Sequence, residues 1–177
     1  MHHVRRRSMK DLISPERFRS NAPYPAVTIH DGDQRYARMI SDAYAGKGSE
    51  TTAIAQYRFH RLLLNELPDI YTAYQHIAAT EMIHQDLLGN LLKNLGMAPK
   101  LCSGTVNQFW SGKFPDYRCK LPDIYEADAQ GERNAIAHYS MLAERIKNES
   151  MQALFRRIIL DEELHLSFLN SLIAEFR

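Results

Sequence analysis

Apolar residues recur with a helical period of three to four positions over most of this 177-residue chain, with polar residues between them. The pattern predicts four long helices, over residues 34–66, 68–95, 123–146 and 150–176. Pro68 ends the first helix, because proline lacks the backbone donor and clashes with the preceding turn. Gly96 follows the second, as glycine commonly does after a helix C-terminus.

The connections between the helices predict their arrangement. Residues 97–122 are rich in proline and glycine and form a longer link than antiparallel neighbours need. This length suits a crossover along a bundle. A short turn joins the third and fourth helices, so we expect them to be antiparallel neighbours. The prediction is an all-α, ferritin-like four-helix bundle of two helical hairpins joined by a long crossover. Four aromatic residues in the crossover are interpreted as packing rather than as a ligand cage: Phe109, Trp110, Phe114 and Tyr117.

Residues 1–33 contain three prolines and show no sustained period, so we predict an irregular N-terminal arm. The bundle domain then covers residues 34–177. Asp31 and Asp33 are candidate N-caps for the first helix. The basic stretch at residues 5–10 is interpreted as a solvated tail, with docking to an anionic partner as the alternative.

The two halves of the predicted bundle repeat one another. Residues 50–57 read ETTAIAQY and residues 132–139 read ERNAIAHY, with five of eight positions identical. The second and fourth helices share Glu-x-x-His, as Glu81 with His84 and Glu162 with His165. Glu81 follows Glu50 by 31 positions and Glu162 follows Glu132 by 30, so equivalent acids fall at equivalent heights. A duplicated helical hairpin explains both matches.

These four glutamates lie in phase with apolar residues and should therefore point into the bundle. One unpartnered buried carboxylate costs several kcal/mol, and four together would repel one another. Two divalent cations would neutralise the four charges, and each histidine adds a nitrogen donor on the same helical face as its glutamate. The predicted ligands of two metal ions are Glu50, Glu81, His84, Glu132, Glu162 and His165. The alternatives are exposed polar pairs on solvated faces, or a degenerate bundle without metal.

Other side chains near this pattern have less specific interpretations. Tyr57 and Tyr139 lie two turns beyond their glutamates, where each can hydrogen-bond a ligand carboxylate and relay a proton, or simply pack in the core. Three further histidines, His60, His76 and His138, are off the ligand face or at its edge and are interpreted as surface or structural residues.

Composition narrows the class of protein. A net charge of +1 gives no global field for nucleic acid or a membrane surface, and no apolar run reaches the length of a membrane span. Cys102 and Cys119 do not form a C-x-x-C pair, which excludes a four-cysteine metal module in this sequence. The basic start lacks the apolar region of a secretory signal, so we expect a cytoplasmic protein with reduced thiols.

The segment from Tyr44 to Tyr57, together with both Glu-x-x-His pairs, resembles the ferritin-like domain of rubrerythrins and is similar to manganese catalases. The resemblance covers residues 34–177. It implies that the six predicted ligands hold iron or manganese and that Tyr57 supports a ligand. It also implies a homodimer. Rubrerythrins usually add a rubredoxin module and place a further glutamate where this chain has Ala135. The expected differences are a separate electron-donor protein and a site closer to those of manganese catalases and bacterioferritins.

The leading expectation is therefore an oxidoreductase that acts on peroxide or dioxygen, peroxidase- or catalase-like, with a role in oxidative stress. Iron and manganese both accept carboxylate and imidazole ligands, so the sequence leaves the metal open. One alternative is iron oxidation and storage, which would require a shell of many subunits. Another is an assembly protein in which the metal serves only stability.

Overall fold

Within residues 13–176, which the computed structural model describes, the chain has five α-helices and one short β-ribbon. The helices are α1 (Gln34–Ala45), α2 (Glu50–Leu63), α3 (Pro68–Asn94), α4 (Asp123–Arg145) and α5 (Glu149–Ala174). The ribbon pairs β1 (Cys102–Ser103) with β2 (Gln108–Phe109) in antiparallel register. A 3-10 turn at Pro15–Arg17 precedes the helices, and the basic start of the arm lies outside the described residues.

The first predicted helix is wrong in one respect, because residues 46–49 divide it into α1 and α2. A side chain at Gly46 would bring its Cβ within 2.5 Å of the Asp42 carbonyl oxygen, so this close turn requires glycine. Ser49 then caps α2 by accepting a hydrogen bond from the Thr52 backbone N–H at 3.4 Å. The break makes Glu50 the first residue of a new helix.

The remaining architecture confirms the four-helix bundle. Together, α1 and α2 lie along α3 and form the first hairpin with it, while α4 and α5 form the second. Asp33 caps α1, since its carboxylate accepts the backbone N–H groups of Arg35 and Tyr36. Gly96 follows α3 with a φ of 80°, as predicted for the stop.

Two apolar clusters fill the interior and leave a polar layer between them. One holds Ile40 of α1, Leu92 of α3 and Phe155 of α5. The other holds Tyr74 and Ile77 of α3 with Ile124, Phe168 and Leu169. Phe18, from the predicted arm, is fully buried in the second cluster. The part of the arm that contains Phe18 is thus packed into the bundle.

The crossover is anchored on α2 by polar contacts. Trp110 Nε1 donates to Thr52 Oγ1 at 2.9 Å, and the Asp116 backbone N–H donates to Gln56 Oε1 at 2.6 Å. Of the aromatic residues expected to pack, Trp110 and Phe114 contact each other, whereas Phe109 is largely exposed. Among the described residues, the helices are too short or too polar to traverse a membrane.

Candidate metal centre

All six predicted ligands converge at the centre of the bundle. Glu50 comes from α2 and Glu132 from α4, while α3 supplies Glu81 with His84 and α5 supplies Glu162 with His165. Each is buried, and Glu50, the least buried, is only 4% exposed. The equal hairpin lengths inferred from the repeat therefore place these side chains at one height. We call these six residues the carboxylate–histidine cluster.

Two glutamates of the cluster lie between the two histidines. Nδ1 of His84 is 3.0 Å from one oxygen of Glu81 and 3.2 Å from one oxygen of Glu162. Nδ1 of His165 is 3.1 Å from the other Glu81 oxygen and 3.3 Å from the other Glu162 oxygen. Each of these two carboxylates thus presents one oxygen to each histidine, which is the arrangement of a bridging ligand.

The cluster divides into two overlapping sets of four residues. Glu81 and Glu162 belong to both sets, which Glu50 with His84 and Glu132 with His165 complete. Within each set the candidate donor atoms lie within 4.8 Å of one another. Donor atoms at right angles around a cation with bonds of about 2.1 Å are separated by about 3 Å, as the nitrogen–oxygen distances here are. The donor set and its spacing fit two divalent ions.

The second nitrogen of each histidine has a protein partner. Nε2 of His84 is 3.0 Å from Oδ2 of Asp161, and Nε2 of His165 is 2.8 Å from the carbonyl oxygen of Phe18. These acceptors favour the tautomer with the proton on Nε2, which leaves the lone pair of Nδ1 directed into the cluster. Thr80 also donates to the Phe18 carbonyl, at 3.2 Å.

Asp161 is the centre of a set of contacts that the helical pattern did not predict. It accepts hydrogen bonds from the Ser20 backbone N–H and the Tyr24 hydroxyl, each at 2.6 Å, and lies 2.8 Å from Nη1 of Arg157. Burial raises the pKa of Asp161, but hydrogen bonds from His84 and Tyr24 outweigh it and lower that pKa to about 2. In the sequence, the position of Asp161 directly before Glu162 was the signal that could have pointed to it.

Tyr57 and Tyr139 cross between the halves of the bundle. The Tyr57 hydroxyl donates a short hydrogen bond to Glu132, and the Tyr139 hydroxyl donates one to Glu50. Burial, then the neighbouring carboxylates, raises the pKa of both tyrosines well above the ordinary value, so each stays a donor. Each tyrosine therefore orients the carboxylate that belongs to only one of the two ligand sets.

The electrostatics of the cluster show what a cation would replace. Burial, then nearby carboxylates, raises the pKa of Glu50 and Glu132 well above the ordinary value. Burial lowers the pKa of His84 and His165, but the surrounding carboxylates raise it well above the usual value. Without cations the cluster thus retains protons. Among the described residues, both oxygens of Glu162 and Nδ1 of His165 are buried without a hydrogen-bond partner, as free ligand atoms would be.

A second buried polar group lies at one side of the cluster and was not predicted as a unit. Asp128 accepts hydrogen bonds from the Tyr74 hydroxyl and the Gln56 amide, each at 2.8 Å, and both its oxygens are 2.9 Å from Nδ1 of His60. His60, interpreted as surface or structural, is therefore fully buried. We call Asp128, His60, Tyr74 and Gln56 the Asp128 network.

A cavity of about 910 Å³ connects the cluster with the surface between α2 and α4. Its lining includes the buried carboxylates Glu50 and Glu132 and the exposed Arg118 and Arg133. Ala135 also lines it. A small molecule can therefore reach the two carboxylates that each belong to one ligand set.

A four-helix bundle with four inward glutamates and two histidines defines the class of carboxylate-bridged dinuclear metal proteins. The family comparison agrees with that class. Residues 41–173 match the sequence model of the rubrerythrin family. The chain belongs to the rubrerythrin family.

Solved structures with a similar fold include a manganese catalase and bacterioferritins. The manganese catalase KatB from Anabaena is 17% identical, with a TM-score of 0.79 over 88% of this chain and 78% of that chain. A bacterioferritin from Rhodobacter capsulatus is 24% identical, with a TM-score of 0.70 over 82% of this chain and 88% of that chain. A bacterioferritin from Desulfovibrio desulfuricans is 25% identical, with a TM-score of 0.66 over 80% of each chain. A search of curated proteins gave no match.

Proposed function

We propose that the chain binds two iron or manganese ions and reacts with peroxide or dioxygen as an oxidoreductase. The observation that carries this proposal is the pair of overlapping ligand sets that share Glu81 and Glu162. The solved neighbours include a manganese catalase and bacterioferritins, one of them described with a diiron site. Family membership and the chemistry of the donor set support the same class of centre.

In this proposal Glu81 and Glu162 would each serve both ions, and His84 and His165 would each hold one ion through Nδ1. Glu50 and Glu132 complete one set each. The bound ions would supply the electron changes and the Lewis acidity that act on an O–O bond. The hydroxyls of Tyr57 and Tyr139 hold Glu132 and Glu50 in position and could donate a proton to a peroxide or dioxygen molecule beside those carboxylates.

The cavity supports a role in turnover rather than in stability alone. A purely structural metal site is closed, whereas a catalytic one leaves its ligands accessible to a reactant. Here the cavity reaches Glu50 and Glu132 and is lined by Ala135, a small residue at the position where rubrerythrins carry a further glutamate. Peroxide and dioxygen are small enough to enter it.

The proposal extends to the partners and setting of the protein. A peroxidase cycle needs reducing equivalents, so we infer a separate electron-donor protein or a small reductant. A catalase cycle needs neither, because peroxide is both oxidant and reductant. We also propose a cytoplasmic homodimer, with no role for nucleic acid or a membrane.

Elemental analysis of the natively purified protein, followed by peroxide decay with and without a reductant, tests this function. Two metals per chain and decay without a reductant would identify a catalase, and decay only with a reductant would identify a peroxidase. A protein that holds both metals but leaves peroxide unchanged in either assay would refute an enzymatic role.

Iron storage is the alternative that the bacterioferritin neighbours favour. It requires a hollow shell of many subunits, so size-exclusion chromatography with light scattering separates the two functions. A particle of dozens of subunits that accumulates ferric iron would replace the enzyme proposal. A dimer would exclude storage.

A further inference from the structure

The Asp128 network has no counterpart in the other half of the bundle. By the internal repeat, Tyr74 corresponds to Phe155, His60 to Leu142 and Asp128 to Gly46. Phe155 and Leu142 are fully buried, so the same core position packs well with apolar residues. A buried carboxylate and imidazole carry a desolvation penalty that this packing avoids. The fold therefore does not require the network.

We propose that Tyr74 is a one-electron relay between the dinuclear metal centre and the protein surface. This inference rests on the proposed redox function. The Tyr74 hydroxyl donates to Oδ2 of Asp128 at 2.8 Å, and the tyrosine is fully buried. Oxidation of a tyrosine at neutral pH requires a base for its proton, and Asp128 is such a base at hydrogen-bond distance.

The electron and the proton leave Tyr74 for different acceptors. A centre loaded with two metal ions and oxidised by peroxide or dioxygen would accept one electron from Tyr74 and be reduced by that electron. The proton passes to Asp128, which leaves a neutral tyrosyl radical and a protonated carboxyl group. One electron from the external reductant and the proton from Asp128 then restore the tyrosine. The donor is oxidised by one electron in each such cycle.

Tyr57 is closer to the cluster but is a poorer site for a radical. Its hydroxyl donates to Glu132, and the negative charge of that carboxylate would be engaged by a metal ion. Asp128 is not among the candidate ligands, so a bound cation would not engage its charge. The rings of Tyr57 and Tyr74 are in edge contact, with centroids 5.4 Å apart, so Tyr57 can couple Tyr74 electronically to the centre.

Aromatic rings continue from Tyr74 to the surface. The centroids of Tyr74 and Tyr125 are 6.5 Å apart, and those of Tyr125 and Phe176 are 5.9 Å apart. Phe176 is 51% exposed. An electron donor that docks at this end of the bundle would therefore be joined to Tyr74 through ring contacts. On the other side, the Tyr139 ring stacks on Phe155, which has no hydroxyl to deprotonate.

The test uses the full chain loaded with ferrous iron, mixed with hydrogen peroxide and frozen within milliseconds. Electron paramagnetic resonance should detect a tyrosyl radical whose lines narrow when the protein contains ring-deuterated tyrosine. We expect Tyr74→Phe to abolish this signal, and Asp128→Asn to abolish it while Tyr74 itself remains. Tyr71→Phe, the same change one turn earlier on α3 at a ring that faces Arg61, should retain it.

Circular dichroism and iron content of each variant show whether it is folded and loaded. A wild-type protein that loads iron and consumes peroxide without a tyrosyl radical would overturn the relay but leave the proposed function intact. The same holds for a radical that persists in a folded, loaded Tyr74→Phe variant. A chain that binds no iron and no manganese would overturn both proposals.

Discussion

Tyr57 and Tyr139 occupy equivalent positions in the two halves of the bundle, yet the ring beside Tyr57 is Tyr74 and the ring beside Tyr139 is Phe155. The hydrogen-bond partners of His84 and His165 also differ between the two halves. His84 is held by the carboxylate of Asp161, whereas His165 is held by a backbone carbonyl. The two halves therefore match in the residues of the shared cluster, and they differ in the residues that contact the cluster or its tyrosines.

This difference has a physical reason. In the proposed centre the candidate ligands would present matching atoms to two equal cations, and a shared centre of this kind favours symmetry between the two halves. The residues around the candidate ligands need only pack well and satisfy their hydrogen bonds, and each half can do so with different side chains. The two ends of one cluster thus acquire different hydrogen-bond donors, charges and routes to the surface.

The largest expected effect distinguishes shared from unshared ligands. Glu162→Gln removes a carboxylate that faces both histidines and should lose both metals, because each ligand set contains it. Glu132 belongs to only one set, so the Glu132→Gln variant should lose the metal beside His165 and keep the other metal. Metal content by mass spectrometry after gel filtration measures this, with circular dichroism as the folding control. Equal loss in the two variants would contradict a bridged centre.

Removal of both metals should destabilise the fold. Four buried carboxylates then retain only protons, the two histidines and the hydroxyls of Tyr57 and Tyr139 as partners. At free metal a thousand times above the dissociation constant, binding contributes about 4 kcal/mol per site to the free energy of unfolding. Urea denaturation with metal and with a chelator measures the difference. Curves that coincide would mean that the metals do not bind the native cluster.

The next largest effect tests the different hydrogen-bond partners of His84 and His165. Asp161→Asn should weaken metal binding at the His84 side by roughly 10–100-fold, because it removes the charge that orients the imidazole. Thr80→Val changes the equivalent position of the other hairpin and should have a much smaller effect, since the Phe18 carbonyl still accepts from His165. Competition with a chromophoric chelator gives both affinities. Similar losses of affinity in the two variants would contradict the orienting role of Asp161.

The smallest effect concerns the rings beside the two tyrosines. Phe155→Tyr places a hydroxyl in an apolar cluster and should destabilise the protein by about 1–3 kcal/mol. Tyr74→Phe should cost about 1 kcal/mol, because Asp128 keeps its contacts with Gln56 and His60. Urea denaturation of both variants in the metal-loaded state measures the pair. A stable Phe155→Tyr variant would reveal a polar partner on that side.

The hydrophobic pattern of the sequence predicted the helices of the bundle well but missed the break between α1 and α2. Helical periodicity identified α3, α4 and α5 to within two residues, since apolar faces of long helices are a strong signal. It passed over the break at residues 46–49, because the apolar phase resumes at Glu50 after the turn. Gly46 and Gly48 were the available signals for that break.

The candidate ligands were predictable because they repeat at equal spacing, and the structure places all six in one cluster. Their surroundings were not. Asp161 and Phe18 contact the histidines of the cluster, and Asp128 contacts Tyr74, each through a pair more than 50 positions apart in the chain. A periodicity argument relates residues within one helix and is silent on such contacts.

The sequence by itself determined four helical segments, their duplication and the six inward-facing candidate ligands, because these depend on the period of one helix and on the equal lengths of two hairpins. Tertiary structure alone decided which carboxylates lie between the histidines and which tyrosine supports which glutamate. It also decided that the arm supplies the acceptor for His165. Those choices depend on how separate helices are set against one another, and no local pattern carries that information.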